Sequence, residues 1–450
     1  IIGKACCAKH RVPAGNNERS SMTSCPPISG REQHVAALML KPRDVWSNSA
    51  ITLDKLRSGF ACALHMHQPT VPAGADNSLI SHLQHMLNHP NEGDNHNAEP
   101  FAHCYRRLAE LLPELINEGC DPRIMLDYSG NLLWGIEQMG RRDIGDALRY
   151  LACDPLMQSH VEWLGTFWSH AVAPSTPIPD LKLQISAWQQ QFEACFGGAA
   201  LERVKGFSPP EMALPNHPDT LFEFVKALKE AGYQWLLVQE HSVERMDGTP
   251  LHRSQCFVPN RLLARNSKGE EISITALVKT QGSDTKLVGQ MQPYYEAMGC
   301  ERQHLGDVEV PSLVSQIADG ENGGVMMNEF PEAFRQANRQ VRDNPNGTVA
   351  INGSEYIEAL ERNGVTPNHF PTIQAAQQQR LWSEAGDNAS AEEIQNAITR
   401  LSVADAGFSM EGASWTNNLS WVEGYANVLG PMNQLSAAFH GSFDQSVVED

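Results

Sequence analysis

Seven short runs of apolar or β-branched residues constrain this chain most: 60–64, 123–127, 161–165, 203–207, 234–238, 272–278 and 312–318, each followed by a turn signal. Helical segments lie between several of them. Residues 101–118 place Leu108, Leu111, Leu112 and Leu115 on one stripe, 217–231 and 328–341 look similar, and Asp180 to Phe196 is amphipathic. Strands alternating with helices predict a parallel α/β barrel or a doubly wound sheet. Right-handed crossovers would gather the strand C-termini on one rim, which carries the chemistry in barrels. Beyond residue 350 the strand signals fade, and 353–363, 373–385, 390–403 and 418–440 read as helices. The expected division is a flexible N-terminal leader over 1–57, a barrel over 58–345 and a helical C-terminal region over 346–450. The first 50 or so residues are polar, Pro/Ser-containing and unperiodic, and Met22 is an alternative start.

Composition narrows the function classes. With 34 Lys plus Arg against 53 Asp plus Glu, the formal net charge is -19, which disfavours nucleic acid or an anionic membrane as a partner. No apolar stretch approaches the roughly 18 residues that span a bilayer. The ten cysteines form no CxxC and no compact disulfide framework, so a reducing cytoplasm is expected. Several lie in apolar segments, as small buried hydrophobes.

The first strand, Phe60-Ala61-Cys62-Ala63-Leu64, closes on His65-Met66-His67-Gln68-Pro69. Side chains alternate along a strand, so His65 and His67 share a face, and Pro69 puts the pair at the strand's end. Two more strand ends carry carboxylates. The fourth runs into Ser208-Pro209-Pro210-Glu211, where two prolines stiffen the loop holding Glu211. The seventh runs into Asp319-Gly320-Glu321-Asn322-Gly323-Gly324. In a closed barrel Glu211 and Asp319 face one cavity, and two carboxylates across a cleft are what retaining glycoside hydrolysis requires. Glu240, in Gln239-Glu240-His241 after the fifth strand, is expected near the cleft. Asp284 either binds substrate or caps the following helix. His82, His85, His89, His96 and His103 form a loose histidine-rich stretch that matches no compact zinc motif. Asn352-Gly353-Ser354 fits a glycosylation sequon.

These residues resemble the signatures of glycoside hydrolase family 57, the α-amylase and 4-α-glucanotransferase group. His65-Met66-His67-Gln68-Pro69 looks like the first. Trp163-Leu164-Gly165-Thr166-Phe167-Trp168-Ser169-His170 is similar to the second, Gly206-Phe207-Ser208-Pro209-Pro210-Glu211 to the third and Asp319-Gly320-Glu321-Asn322 to the fourth. The four occur in order over roughly residues 58–345. The resemblance implies a seven-stranded (β/α)7 barrel followed by a helical bundle, Glu211 as nucleophile, Asp319 as general acid/base, and no metal or cofactor. It implies that His65, His67 and His170 hydrogen-bond sugar hydroxyls, with Trp168 and Glu321 also at the substrate. Trp415 and Trp421 are candidates for sugar-stacking aromatics in the bundle, core packing being the alternative. The sequence departs from the family where Ser208 stands in place of a common Trp, and where Gly323-Gly324 follows in place of an aromatic.

The implied activity is a retaining glycosidase of starch, glycogen or malto-oligosaccharides, α-amylase-like if water resolves the intermediate. If another glucan resolves it, the activity is that of a 4-α-glucanotransferase or branching enzyme. Two other readings remain at the level of sequence: a metal-dependent carbohydrate deacetylase, motivated by His-x-His, and a noncatalytic glucan-binding protein. Oligomeric state is not encoded in any of these features.

Overall fold

The computed structural model describes residues 26–41, 44–280, 285–321, 324–345, 347–412 and 426–442. All seven expected runs are strands: β1 Ser58–Met66, β2 Ile124–Tyr128, β3 Val161–Trp163, β4 Gly206–Phe207, β5 Trp235–Gln239, β6 Glu271–Lys279 and β7 Ser312–Asp319. They are mutually parallel. β1 pairs with β2 on one side and β7 on the other, β2 pairs with β3, β4 with β5, and β5 with β6. β6 meets β7 at Lys279–Ser315. Between β3 and β4, one parallel bridge joins Gly165 to Phe207. There the Gly165 N–H donates to the Gly206 carbonyl at 2.9 Å, and the Ser208 N–H to the Gly165 carbonyl at 2.8 Å.

The sheet is mixed. Asn260–Arg265 runs antiparallel to β6, and Thr372–Ala375 lies between Asn260–Arg265 and Val243–Arg245. Thr348–Ala350 pairs parallel with the start of β1. Two of these strands fall in the region expected to be helical, and the helix expected over 373–385 is a strand followed by the helix Gln378–Ala385. Ile373 and Ala375 are fully buried, so burial of alternate side chains overrides the helix-forming glutamines of 374–379. The remaining C-terminal helices are Gly353–Arg362, Ala391–Ala404 and Ala426–Ser442. Within the segment expected to be a leader, Glu32–Met39 is a helix whose Val35, Leu38 and Met39 are buried. The Val45 and Trp46 N–H groups donate to Glu358.

Alternation sorts the strands into two faces. Phe60, Cys62, Leu64, Leu126, Trp163, Phe207, Leu236 and Val314 belong to one apolar cluster, packed with Leu108, Leu111, Leu112 and Leu115 of the helix Leu108–Asn117. Ala61, Ala63, Met125, Leu164, Trp235, Leu237, Leu277, Leu313 and Ile317 form the other, with Ile351, Tyr356 and Leu360. His65, Asp127 and Asp319 continue this second set at the C-terminal ends of their strands. Among the described residues no helix is long and apolar enough to cross a membrane. The sequon residue Asn352 is wholly buried at the head of Gly353–Arg362, where a glycan has no room.

Candidate functional site

Register and side-chain alternation together build the site. His65 of β1 is level with Asp127 of β2 on one side and with Asp319 of β7 on the other. All three fall on the same face, so an imidazole stands between two carboxyl groups. Asp127 is wholly buried, and its Oδ2 lies 3.0 Å from His65 Nδ1. Beyond β7, Gly320 turns the chain, its N–H donating to the His65 carbonyl at 2.7 Å. A Cβ at Gly320 would meet Sδ and Cε of the fully buried Met66, so a larger residue between Asp319 and Glu321 requires the Met66 tip to shift.

His67 and His170 complete a triad of imidazoles. His170 Nε2 is 3.0 Å from His65 Nε2, and the His67 and His170 rings stack at 4.4 Å and 22°. His67 Nδ1 meets the Ser129 hydroxyl at 2.8 Å, and that hydroxyl donates to Asn131 Oδ1. On the far side, His170 Nε2 lies 3.8 Å from Glu211 Oε1. Glu211 occupies the turn Pro210–Met212 with φ +58, and Met212 follows at φ +51. Left-handed backbone at two successive non-glycine residues costs on the order of 1–3 kcal/mol each. The surrounding structure must impose it, and Pro209, Pro210 and the buried Met212 side chain do so.

Charge is distributed unevenly over the site. Burial alone would push the His65 imidazole down. The Asp127 carboxylate against Nδ1, together with Asp319 and Glu321, outweighs it, and His65 is held up at about 9. Burial, then the His65 charge, pushes His67 down to about 3. The same two causes push His170 down. Burial lifts the Glu321 carboxyl to about 7, against the lowering effect of the His67 amide and the His65 charge. The His67 N–H donates to Glu321 Oε1 at 2.8 Å, and Glu321 Oε2 is buried with no hydrogen-bond partner among the described residues.

The structure thus brings together His65, His67, His170, Glu211, Asp319 and Glu321. Asp319 is exposed, and Glu211 is partly so. Both ring nitrogens of His65 face protein partners, Nδ1 toward Asp127 and Nε2 toward His170. Trp168 is half-buried, its ring 6.5 Å from Trp134 and against the backbone of Gly130. Glu240 follows β5 and acts electrostatically on Cys256 and Glu296. Asp284, Trp415 and Trp421 lie outside the described residues. Sequence reading missed Asp127, Ser129 and Tyr105, whose hydroxyl reaches toward Glu321 at 3.5 Å. For Asp127 the signal was a carboxylate on the inward alternation of an otherwise apolar strand. His82, His85 and His89 line one helix face, with rings 6.2 and 4.3 Å apart in succession. Among the described residues no group of three or more His, Cys, Asp or Glu is placed to hold a metal ion.

Seven parallel strands of a mixed sheet, whose ends assemble carboxylates around stacked imidazoles, define an α/β protein with a polar, acid-rich site. Comparison points the same way: residues 61–277 match the model of glycosyl hydrolase family 57. The match contains His65, His67, His170 and Glu211 and ends ahead of Asp319. No curated protein matches the chain. Among solved structures, it is similar to the 4-α-glucanotransferase from Thermococcus litoralis, at 19% identity and a TM-score of 0.48, over 80% of this chain and 49% of that one. The exo-type maltose-forming amylase from Pyrococcus sp. ST04 gives 14% identity and 0.48, over 71% and 52%. The α-amylase AmyC from Thermotoga maritima gives 11% and 0.43, over 87% and 96%. The chain spans about half the length of the first two.

Proposed function

We propose that the chain is a retaining enzyme of α-glucans such as starch, glycogen and malto-oligosaccharides, with Glu211 as nucleophile and Asp319 as general acid/base. In this reading Glu211 attacks the anomeric carbon while a carboxylic acid protonates the leaving oxygen, giving a covalent glycosyl ester. The resulting carboxylate then takes a proton from the water or glucan hydroxyl that opens the ester. The observation that carries the reading is the strained, proline-stiffened seat of Glu211. Its carboxylate reaches through His170 and His65 to the strand end where Asp319 stands. The seven parallel strands are read as a closed (β/α)7 barrel, supported by the Gly165–Phe207 bridge between β3 and β4.

Water as acceptor makes the enzyme α-amylase-like, and a glucan makes it a 4-α-glucanotransferase or branching enzyme. One observation favours a variant of this scheme. Glu321, two residues past Asp319, keeps its proton up to about pH 7, the condition a proton donor needs. Incubation with maltoheptaose tests all of this. Remodelling by the parent is expected, with loss of about a thousandfold or more in both Glu211→Gln and Asp319→Asn. Shorter products alone mean hydrolysis, and longer ones mean transfer. A full loss in Glu321→Gln with a modest one in Asp319→Asn would reassign the acid. An inert parent would point to a noncatalytic glucan binder.

A further inference from the structure

Asp127 has no place in the two-carboxylate scheme, yet it is the most deeply enclosed carboxyl group of the site. It is wholly buried on β2, and neither oxygen has a hydrogen-bond partner among the described residues beyond the 3.0 Å approach to His65 Nδ1. An ionised carboxylate in such a place requires a cation, and His65 is the group that can supply one. The far nitrogen of His65 is 3.0 Å from His170 Nε2, and His170 Nε2 is 3.8 Å from Glu211 Oε1. We propose that Asp127 is a positioning residue that fixes His65 as an imidazolium, and that His65 in turn fixes the tautomer of His170 beside Glu211.

The proton inventory follows from the geometry. With Nδ1–H turned to Asp127, the imidazolium must donate its Nε2–H to His170 Nε2, which is then an acceptor, and the His170 proton sits on Nδ1. The His170 nitrogen nearest Glu211 therefore carries no hydrogen, so His170 presents a lone pair rather than a donor on the side of the nucleophile. The acids that act on the His65 charge are Asp127 from β2 and Asp319 and Glu321 from the end of β7, and Glu211 lies beyond His170. The rings of His67 and His170 face it as neutral groups. The elevation of His65 to about 9 agrees with this arrangement. A buried carboxylate that orders an imidazole by accepting from one nitrogen sets which nitrogen serves the reacting group.

The consequence for turnover rests on the proposed glucan chemistry, whereas the spectroscopic readout does not. Nitrogen-15 NMR of histidine-labelled protein reports whether each ring nitrogen is protonated, with His65→Gln used to assign the signal. In the parent at pH 7, both His65 nitrogens should show the imidazolium signature, persisting to about pH 9, and His170 should be neutral with its proton on Nδ1. In Asp127→Asn, a same-size change that keeps the packing, the His65 signal should turn neutral at pH 7. Turnover on maltoheptaose should fall on the order of a hundredfold, with KM changed less than about threefold. A neutral His65 in the parent at pH 7 would overturn the proposal even if Asp127→Asn failed to fold. So would a charged His65 in Asp127→Asn. If the parent shows the imidazolium but no glucan is remodelled, the charge assignment stands and the substrate reading fails.

Discussion

Gly206→Ala probes the packing that seats the nucleophile. Gly206 opens β4, and a Cβ there would fall less than 3.0 Å from Cζ2, Cε2 and Cη2 of the Trp235 ring. That ring cannot step aside. It is 1% exposed, its Nε1–H donates to Ser354 Oγ at 2.8 Å, and Gly353 closes on the same edge. Overpacking against a rigid side chain costs about 1–3 kcal/mol, here at the upper end. Disturbing the buried Trp235–Ser354 bond adds about 1 kcal/mol, and replacing a strand glycine returns about 0.5–1 kcal/mol. The expected loss is therefore about 3 kcal/mol, read as the free energy of the first urea-unfolding transition. Trp235→Phe removes the three clashing atoms, so in that background the cost should fall by at least about 1 kcal/mol, the coupling of a contacting pair. Turnover should drop as well, since the strand leads directly into the turn carrying Glu211. A cost below about 0.5 kcal/mol, or an equal cost in both backgrounds, would refute the packing described between β4 and β5.

Further expectations concern buried charge and the histidine shell. Burial, moderated by hydrogen bonds from Ser354, raises the Glu162 carboxyl from 4.5 to about 7. A raised acid holds more protons folded than unfolded, so its contribution is fullest below about 4.5 and is lost as pH rises through about 7. Glu162→Gln should therefore flatten the fall in stability between pH 4.5 and 7.5 by up to about 3 kcal/mol, and identical pH profiles in parent and variant would count against it. Arg123 holds Glu355 through two bonds of 2.9 and 3.1 Å, both groups buried. Arg123→Leu leaves that carboxylate unpaired and should cost about 3–5 kcal/mol in urea unfolding, while adding Glu355→Leu recovers part of it. Ser129→Ala frees His67 Nδ1, and KM for maltoheptaose should rise about fivefold with turnover nearly unchanged, the worth of one hydrogen bond. An unchanged KM would remove His67 from the substrate.

The seven parallel strands were legible because each is a compact apolar run ending at a turn, and burial on both faces keeps such runs continuous. The antiparallel additions were not. Asn260–Arg265 alternates buried and half-buried positions over a sequence of mixed polarity, and Thr372–Ala375 opens a glutamine-rich stretch that favours a helix in isolation. Its Gln374 Nε2–H instead donates to Glu244, a partner 130 residues away in the chain. The same distinction holds within the site. His65, His67, Glu211 and Asp319 stand at strand ends marked by prolines or an Asp-Gly turn, so local sequence points to them. Asp127 becomes meaningful only through register, which sets it level with His65 across two strands. No local pattern specifies that pairing. The helix Glu32–Met39 was missed because it is barely two turns long, and its contacts lie on the distant helix Ile178–Phe196, where the Arg31 N–H donates to Gln190.

The central claim, that Glu211 becomes covalently glycosylated, is most directly tested by trapping. An α-maltosyl fluoride needs little protonation of its leaving group, so Asp319→Asn should still form the glycosyl ester but open it slowly for want of a base. Intact mass of that variant after brief exposure should show one maltosyl adduct, and peptide mapping should place it on Glu211. Absence of any adduct while the parent turns the fluoride over, or an adduct on a different carboxylate, would contradict the account.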